Sequence, residues 1–262
     1  MQISPENKSP QVQRFLRKEV SDFHAHLVGL LNVQPNDRVL DLGCGRGATL
    51  VHLADTISNE GKLVGLDFDQ PSLDECGQIF HGIPFDLIQH DLNRSLPFGD
   101  GEFTKIVCHN VLECLHDKEA FLNECARVLV PGGVLVLSHS DFDTIVFNSS
   151  FTELTRKLVH TFADATQPWM DTSDAMMGRK LAGIVQESSF SKQRVEGYSV
   201  ISTELAEFSP GGAFMNDILG AAREANAFDQ NELEGWEKEQ RQFNEQGKFL
   251  YAVTNFIVVA VK

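Results

Sequence analysis

Val39-Leu40-Asp41-Leu42-Gly43-Cys44-Gly45-Arg46-Gly47 is the stretch on which the reading of this chain turns. Arg38 to Leu42 is a short, mostly apolar run closed by glycine, the pattern of a buried strand. Glycines 43, 45 and 47 let the backbone turn sharply and let a ligand approach where a Cβ would collide. Beyond them Leu50, Leu53, Ala54 and Ile57 recur at helical spacing, and Lys62-Leu63-Val64-Gly65-Leu66-Asp67 is a second apolar strand, so one strand-loop-helix-strand unit is complete by residue 67. Asp67 stands 20 positions past Gly47, where a carboxylate accepts hydrogen bonds from a ribose diol. Short glycine-rich turns occur by chance. A strand before, a helix after and the distant acid together point to an adenosine-containing ligand.

The same alternation continues outward. Apolar spacing predicts a helix over 71–80, strands around 85–89 and 103–108, a helix over 118–129 stopped by Pro131-Gly132-Gly133, and a strand over 134–137. Strands apolar on both faces and separated by helices predict an α/β, mostly parallel sheet covered by helices on both sides. Upstream, Val12, Phe15, Leu16, Val20, Phe23, Leu27 and Leu30 predict one amphipathic helix over 12–31, within a helical cap of residues 1–34. Residues 35–140 form the cofactor-binding core. Past Ser140 a helix is expected near 178–187, a strand near 193–201 and a last strand over 249–261. The stretches 141–178 and 204–248 read as irregular insertions covering one mouth of the sheet, with Gly211 and Gly212 as a hinge. Their Phe142, Phe147, Phe151, Phe162, Trp169, Met170, Met176, Met177, Phe208, Phe214, Met215 and Trp236 suit an apolar pocket for a small flat molecule. Taken one by one, each is ordinary core. With no repeat and no break in composition, residues 1–262 are read as one domain.

Composition narrows the function. Hydrophobic residues at 42% supply a core, which excludes a disordered chain. Twenty-two Lys and Arg against 37 Asp and Glu leave a net charge of −15, which opposes nucleic acid and favours a small-molecule partner. The five cysteines, Cys44, Cys76, Cys108, Cys114 and Cys125, are an odd set without a CxxC pair and are expected as reduced thiols. The amino terminus lacks a signal-peptide pattern and no apolar run approaches membrane-spanning length, so a cytoplasmic protein without membrane contact is expected.

VLDLGCGRG (39–47), LVGLD (63–67), HDL (90–92), FTKIVCHNVLECLHD (103–117) and RVLVPGGVLVLS (127–138) together resemble the class I S-adenosylmethionine-dependent methyltransferases, in particular the small-molecule branch with the ubiquinone and menaquinone methyltransferases. The resemblance covers about half of the chain, all amino-terminal. It implies a Rossmann-like, seven-stranded sheet whose final antiparallel strand inserts next to the fifth, and S-adenosyl-L-methionine as cofactor. Gly43 and Gly45, with Cys44 between them, would pass close to its methionine portion, and Asp41 would anchor the loop. Asp67 would bind the ribose and Asp91 the adenine amino group, while Leu92 and Phe68 would pack on the ring. Asn110 would meet the amino-acid end through its backbone. Each acid has a plainer role open to it: Asp41 capping the loop amides, Asp67 the following helix, Asp91 the turn before Leu92-Asn93.

Methyl transfer from a sulfonium is an in-line displacement governed by positioning, so no dedicated nucleophile is expected. A base is required only where the acceptor must lose a proton. His109, His116, His139 and Asp141 fall where such a base would stand, above the carboxyl ends of the central strands, as does Asp143. Related sequences carry a histidine where this chain has Cys114, so no catalytic histidine is carried over to His116. His24 and His26, at i and i+2 on a helix, do not share a face, and no metal site is expected. Two other readings remain open at this stage: a nicotinamide-dependent oxidoreductase, disfavoured because its loop is GxGxxG, and a non-catalytic S-adenosylmethionine-binding protein.

Overall fold

The structure, a computed structural model, describes residues 8–58, 60–81, 85–165 and 174–262. Its sheet is built outward from β1 (Arg38–Leu42), which pairs in parallel with β2 (Lys62–Asp67) on one side and β4 (Phe103–His109) on the other. Beyond β2 lies β3 (Asp86–Gln89), and beyond β4 lie β5 (Leu129–Phe147), β7 (Tyr251–Val261) and β6 (Ser191–Ser202). The order 3-2-1-4-5-7-6, with β7 antiparallel to both neighbours, is a Rossmann-like seven-stranded sheet. The strand order reverses between β1 and β4, and a ligand crevice forms at the strands' carboxyl ends there.

Helices cover both faces. On one side α1 (Pro10–Phe15), α2 (Lys18–Leu31), α3 (Leu50–Leu53), α4 (Gln70–Ile79), α6 (Thr152–Ala163), α8 (Pro210–Ala225) and α9 (Gln230–Glu245) bury their apolar stripes with Val39, Val107, Val136 and Ile257 of the sheet. On the other, α5 (Lys118–Val128) and α7 (Met177–Gln186) pack on Leu40, Ile106, Leu135 and Val258. Both sets come from the same strands, because successive residues of a strand face opposite ways.

Several expectations need correction. The single amino-terminal helix is two, because Arg17 takes an extended backbone (φ −60°, ψ 139°) and pairs with Glu19 and Glu204. The fifth strand runs over 19 residues rather than 134–137: it takes in Pro131-Gly132-Gly133, where Gly132 donates to the Lys262 carbonyl (3.0 Å), and β7 pairs along it as far as Phe147. Of the insertions, expected to be irregular, 141–147 continues β5 and the rest of their described residues include α6, α8 and α9. α9 hides its stripe in a polar sequence, burying only Leu233, Trp236, Glu239 and Gln240.

Gly211 and Gly212 are no hinge. Ser209 caps α8 by accepting from the Gly212 amide (3.1 Å), and an added Cβ would meet the Phe249 ring at 2.8 Å or the Ala206 carbonyl at 2.5 Å. Phe147, Met177, Met215 and Trp236 are core, and Trp236 donates from Nε1 to Thr155 Oγ1 (2.9 Å). Phe142, Phe162, Phe208 and Phe214 are half-buried, Phe151 and Met176 are exposed, and Trp169 and Met170 lie outside the described residues. Among the described residues no helix is long and apolar enough to cross a membrane.

Candidate active site

The glycine loop is stapled across the end of β2: the amides of Gly43 and Cys44 both donate to the Leu66 carbonyl, at 2.8 and 2.9 Å. Gly43 and Gly45 take φ of +73° and +51°, where a side chain is strained. A Cβ on Gly43 would come within 2.2 Å of Val111 Cγ2, whereas one on Gly45 would meet nothing within 4 Å, so the loop is tight against the fold at one glycine and open at the next.

Asp67 ties loop and strand together. Its Oδ2 accepts from the Gly45 amide (2.8 Å) and its Oδ1 from the Asp69 amide (3.0 Å). A carboxylate has about four acceptor positions, so one remains on each oxygen, the pair a diol needs. The helix cap that Asp67 might have supplied comes instead from Asp69, which accepts from the Ser72 amide at 3.0 Å. Asp41 is 3% exposed, and its Oδ2 has no partner among the described residues. Burial, followed by the nearby Asp67 charge, pushes its carboxyl up to about 8. An unpaired buried oxygen behind an open glycine loop fits a ligand that brings a positive charge to it.

A cavity of about 690 Å³ opens beside this loop, a usual size for a cofactor site. Gly43, Asp67, Phe68, Asp91, Leu92 and Asn110 line it, while Asp41, Cys44 and Gly45 lie off its wall. Burial pushes the Cys44 thiol far up, so it stays protonated. Phe68 stands 60% exposed at the rim. Asp91 accepts from the Asn93 amide (3.0 Å), which holds its carboxyl below the usual range and caps the local turn. Asn110 has a left-handed backbone (φ +52°) and its side chain is engaged with Ser140: Oδ1 accepts from the Ser140 amide (2.8 Å) and Nδ2 donates to Ser140 Oγ (3.2 Å). Gln89, His90, Asn93, Arg94, Val111, Cys114 and Leu115 also line the cavity and were missed. Their one sequence signal is adjacency, since they flank Asp91-Leu92 and follow Asn110.

None of the four candidate bases lines that cavity. Asp141 is 0% exposed and pinned by Arg179, whose Nε and Nη2 reach its two oxygens at 2.5 and 2.7 Å. Asp143 also pairs with Arg179 (3.0 Å). His139 donates from Nδ1 to the Ser140 carbonyl (2.7 Å) and its Nε2 lies 3.6 Å from Glu113 Oε1; burial lowers the imidazole to about 4 and raises Glu113 to about 7. His116 is exposed. His109 packs against Phe23 (4.9 Å) and His24 (5.5 Å), and its buried Nδ1 has no partner among the described residues. Burial above all, then His24, keeps that imidazole well below its ordinary value and so neutral.

This fold, with its open glycine loop and acidic strand end, is similar to that of the class I S-adenosylmethionine-dependent methyltransferases. Residues 39–133 match the family described as "Methyltransferase domain". The chain is 27% identical over 164 residues to the "Uncharacterized 37.1 kDa protein in transposon TN4556" of Streptomyces fradiae, covering 63% of this chain and 46% of that one. It is 28% identical over 120 residues to a demethylmenaquinone methyltransferase of Staphylococcus epidermidis, covering 46% and 50%. A putative methyltransferase structure from Bacillus halodurans superposes with a TM-score of 0.60 at 16% identity over 92% of this chain and 99% of that one, a likeness of fold. The chain spans about half the length of the curated relatives it matches.

Proposed function

We propose that this chain transfers a methyl group from S-adenosylmethionine to a small-molecule acceptor in biosynthesis. The observation that carries the reading is the pairing of Asp67 with the Gly45 amide beside a cavity of cofactor size. When bound, the cofactor supplies a methyl group activated by its sulfonium. The chain's residues do the rest. Asp67 takes the ribose diol, Phe68 and Leu92 flank the adenine and Asp91 accepts from its amino group. Gly43, Cys44 and Gly45 give the methionine portion a path along the loop, with Asp41 behind them and the Asn110 backbone opposite.

Catalysis then comes from holding the acceptor in line with the bond to be broken. Where the acceptor must lose a proton, His109 is the candidate base nearest the cavity in sequence, directly preceding the wall residue Asn110, with its Nδ1 unpaired among the described residues. The relative named as a demethylmenaquinone methyltransferase supports a small-molecule acceptor. The test is calorimetric titration with S-adenosylmethionine, S-adenosylhomocysteine and NADH, repeated on Asp67→Ala, followed by an acceptor screen. Binding of both adenosyl ligands that collapses in the variant is the expected result. Binding of NADH alone would make the chain an oxidoreductase, and cofactor binding without turnover across the screen would favour a non-catalytic role.

A further inference from the structure

Val253, Asn255 and Ile257 of β7 turn to one face of the sheet, where Val253 and Ile257 join the apolar cluster that also takes in Phe23 and Leu27 of α2. Asn255 stands between them, 2% exposed, and the residue opposite it on β5 is Ser140, also buried. A buried amide or hydroxyl costs stability unless it is hydrogen-bonded, and an apolar residue would make the same ladder at either place. These two side chains instead build a chain of hydrogen bonds that runs from β6 through β7 and β5 to the end of β4. Asn255 Nδ2 donates to the Tyr198 carbonyl of β6 (3.5 Å), which turns its Oδ1 to accept from Ser140 Oγ (2.8 Å). With its one proton committed there, the Ser140 hydroxyl accepts from Asn110 Nδ2 (3.2 Å), while the Ser140 amide donates to Asn110 Oδ1 (2.8 Å). Each donor and acceptor fits in one sense only, so the chain fixes the orientation of every group in it.

The chain ends on the cavity wall. β4 stops at His109, and Asn110, the next residue, lines the cavity beside the glycine loop. Its backbone is left-handed (φ +52°), a conformation that a residue with a Cβ holds at a cost and that its surroundings must maintain. The Asn110 amide donates to the Ser138 carbonyl (3.0 Å), so the group its backbone offers a ligand is the carbonyl. Both polar atoms of the Asn110 side chain are held by Ser140, and Ser140 by Asn255, which leaves this peptide little freedom to turn. Asn110 lies inside the span 39–133 that matches the methyltransferase family, whereas the two residues that hold it lie outside.

We propose that Ser140 and Asn255 are positioning residues for the amino-acid end of the cofactor, acting through the Asn110 side chain to aim the Asn110 carbonyl at the ligand's ammonium, an inference that rests on the methyltransferase reading. Neither residue touches the ligand. A carbonyl accepting from an ammonium makes a charge-assisted hydrogen bond whose strength depends on distance and angle, so a peptide held in place beforehand binds more tightly than one the ligand must turn. The effect is confined to one end of the ligand. Asp67 and Asp91, at the adenosine end, are held by other partners: the Gly45 and Asp69 amides for the first, the Asn93 amide for the second.

The test is calorimetric titration of the whole protein with S-adenosylhomocysteine and with 5′-methylthioadenosine, which keeps the adenosine and the sulfur but lacks the amino-acid end. Ser140→Ala and Asn255→Ala are each expected to weaken S-adenosylhomocysteine about tenfold, the weight of one hydrogen bond to a charged group, and to leave 5′-methylthioadenosine within about twofold. A general loss of structure would weaken both ligands alike. Asn255→Val, strand-forming and apolar, carries the same expectation should the alanine variant fold poorly by circular dichroism. Because Asn255 acts through Ser140, the double variant is expected to bind no more weakly than Ser140→Ala alone. Equal weakening of the two ligands, an unchanged S-adenosylhomocysteine affinity in Ser140→Ala, or losses that add in the double variant would overturn the inference and leave the proposed function standing. Failure of the wild type to bind S-adenosylhomocysteine at all would overturn both.

Discussion

Filling the cofactor site is expected to expel a proton from Asp41. The empty protein holds this carboxyl at about 8 against an ordinary 3.8, chiefly by burial and then by the Asp67 charge. A ligand that brings a sulfonium and an ammonium to the glycine loop favours the ionised form. If it returns the group to its ordinary range, the site at pH 7 passes from about nine-tenths protonated to almost none, releasing about 0.9 proton. Affinity then rises about ninefold from pH 6 to 7, about fivefold from 7 to 8, and levels off above. Because the folded-state value is raised, Asp41 stabilises the empty protein below pH ~4 and that contribution is lost as the pH climbs to ~8, so the ligand-induced rise in Tm should grow over the same window. Titration with S-adenosylmethionine in phosphate and in Tris buffer counts the protons directly. Asp41→Asn should release fewer than about 0.1 and show a flat affinity profile. Release below about 0.2 in the wild type, or equal release in the variant, would refute the placement of Asp41 against the cofactor.

The loop's two faces should separate under mutation: Gly43→Ala, with its Cβ driven into Val111, should lose about 1–3 kcal/mol in urea unfolding, whereas Gly45→Ala, with nothing in reach, should lose about 1 kcal/mol yet bind cofactor far more weakly. Phe68→Ala, at an exposed position, should leave stability within about 0.5 kcal/mol and weaken cofactor binding about fivefold in calorimetry. Asp141→Asn breaks a buried pair with Arg179 and should cost about 3 kcal/mol by chemical denaturation, with any loss of turnover following the folded fraction; a stable but inactive variant would restore Asp141 as a base.

The amino-terminal half was legible because its local rules and its function coincide. Strands buried on both faces read as continuous apolar runs, and Gly43, Gly45 and Asp67 are positions where few other residue types meet the backbone and hydrogen-bond demands. Burial of the candidate bases was not legible. Asp141 and His139 follow the strand end on paper, yet β5 continues past them and α7 packs over them, with the Arg179 partner 38 residues away in sequence. The covering helices were hidden for a related reason. α9 buries few apolar residues in a polar sequence, and a glycine pair that resembles a hinge proves to be a close-packing site once Phe249 and Ala206 are brought to it from elsewhere in the chain.

That contrast bears on where specificity resides. The cavity beside the glycine loop is lined from residues 43 to 115, within or adjoining the span that matches the methyltransferase family. The opposite end of the same sheet face is assembled from α1, α8 and the start of β7, all outside that span. Its aromatic wall, the stacked Phe214 and Tyr251 with Phe142 and Phe162 beside them, has no counterpart in the shared motifs. A common cofactor constrains one end through backbone geometry, which leaves the other free to vary through side-chain packing. Exchanging α1 and α8 residues should therefore change which acceptor is taken without changing cofactor affinity, whereas changes at the glycine loop should do the reverse.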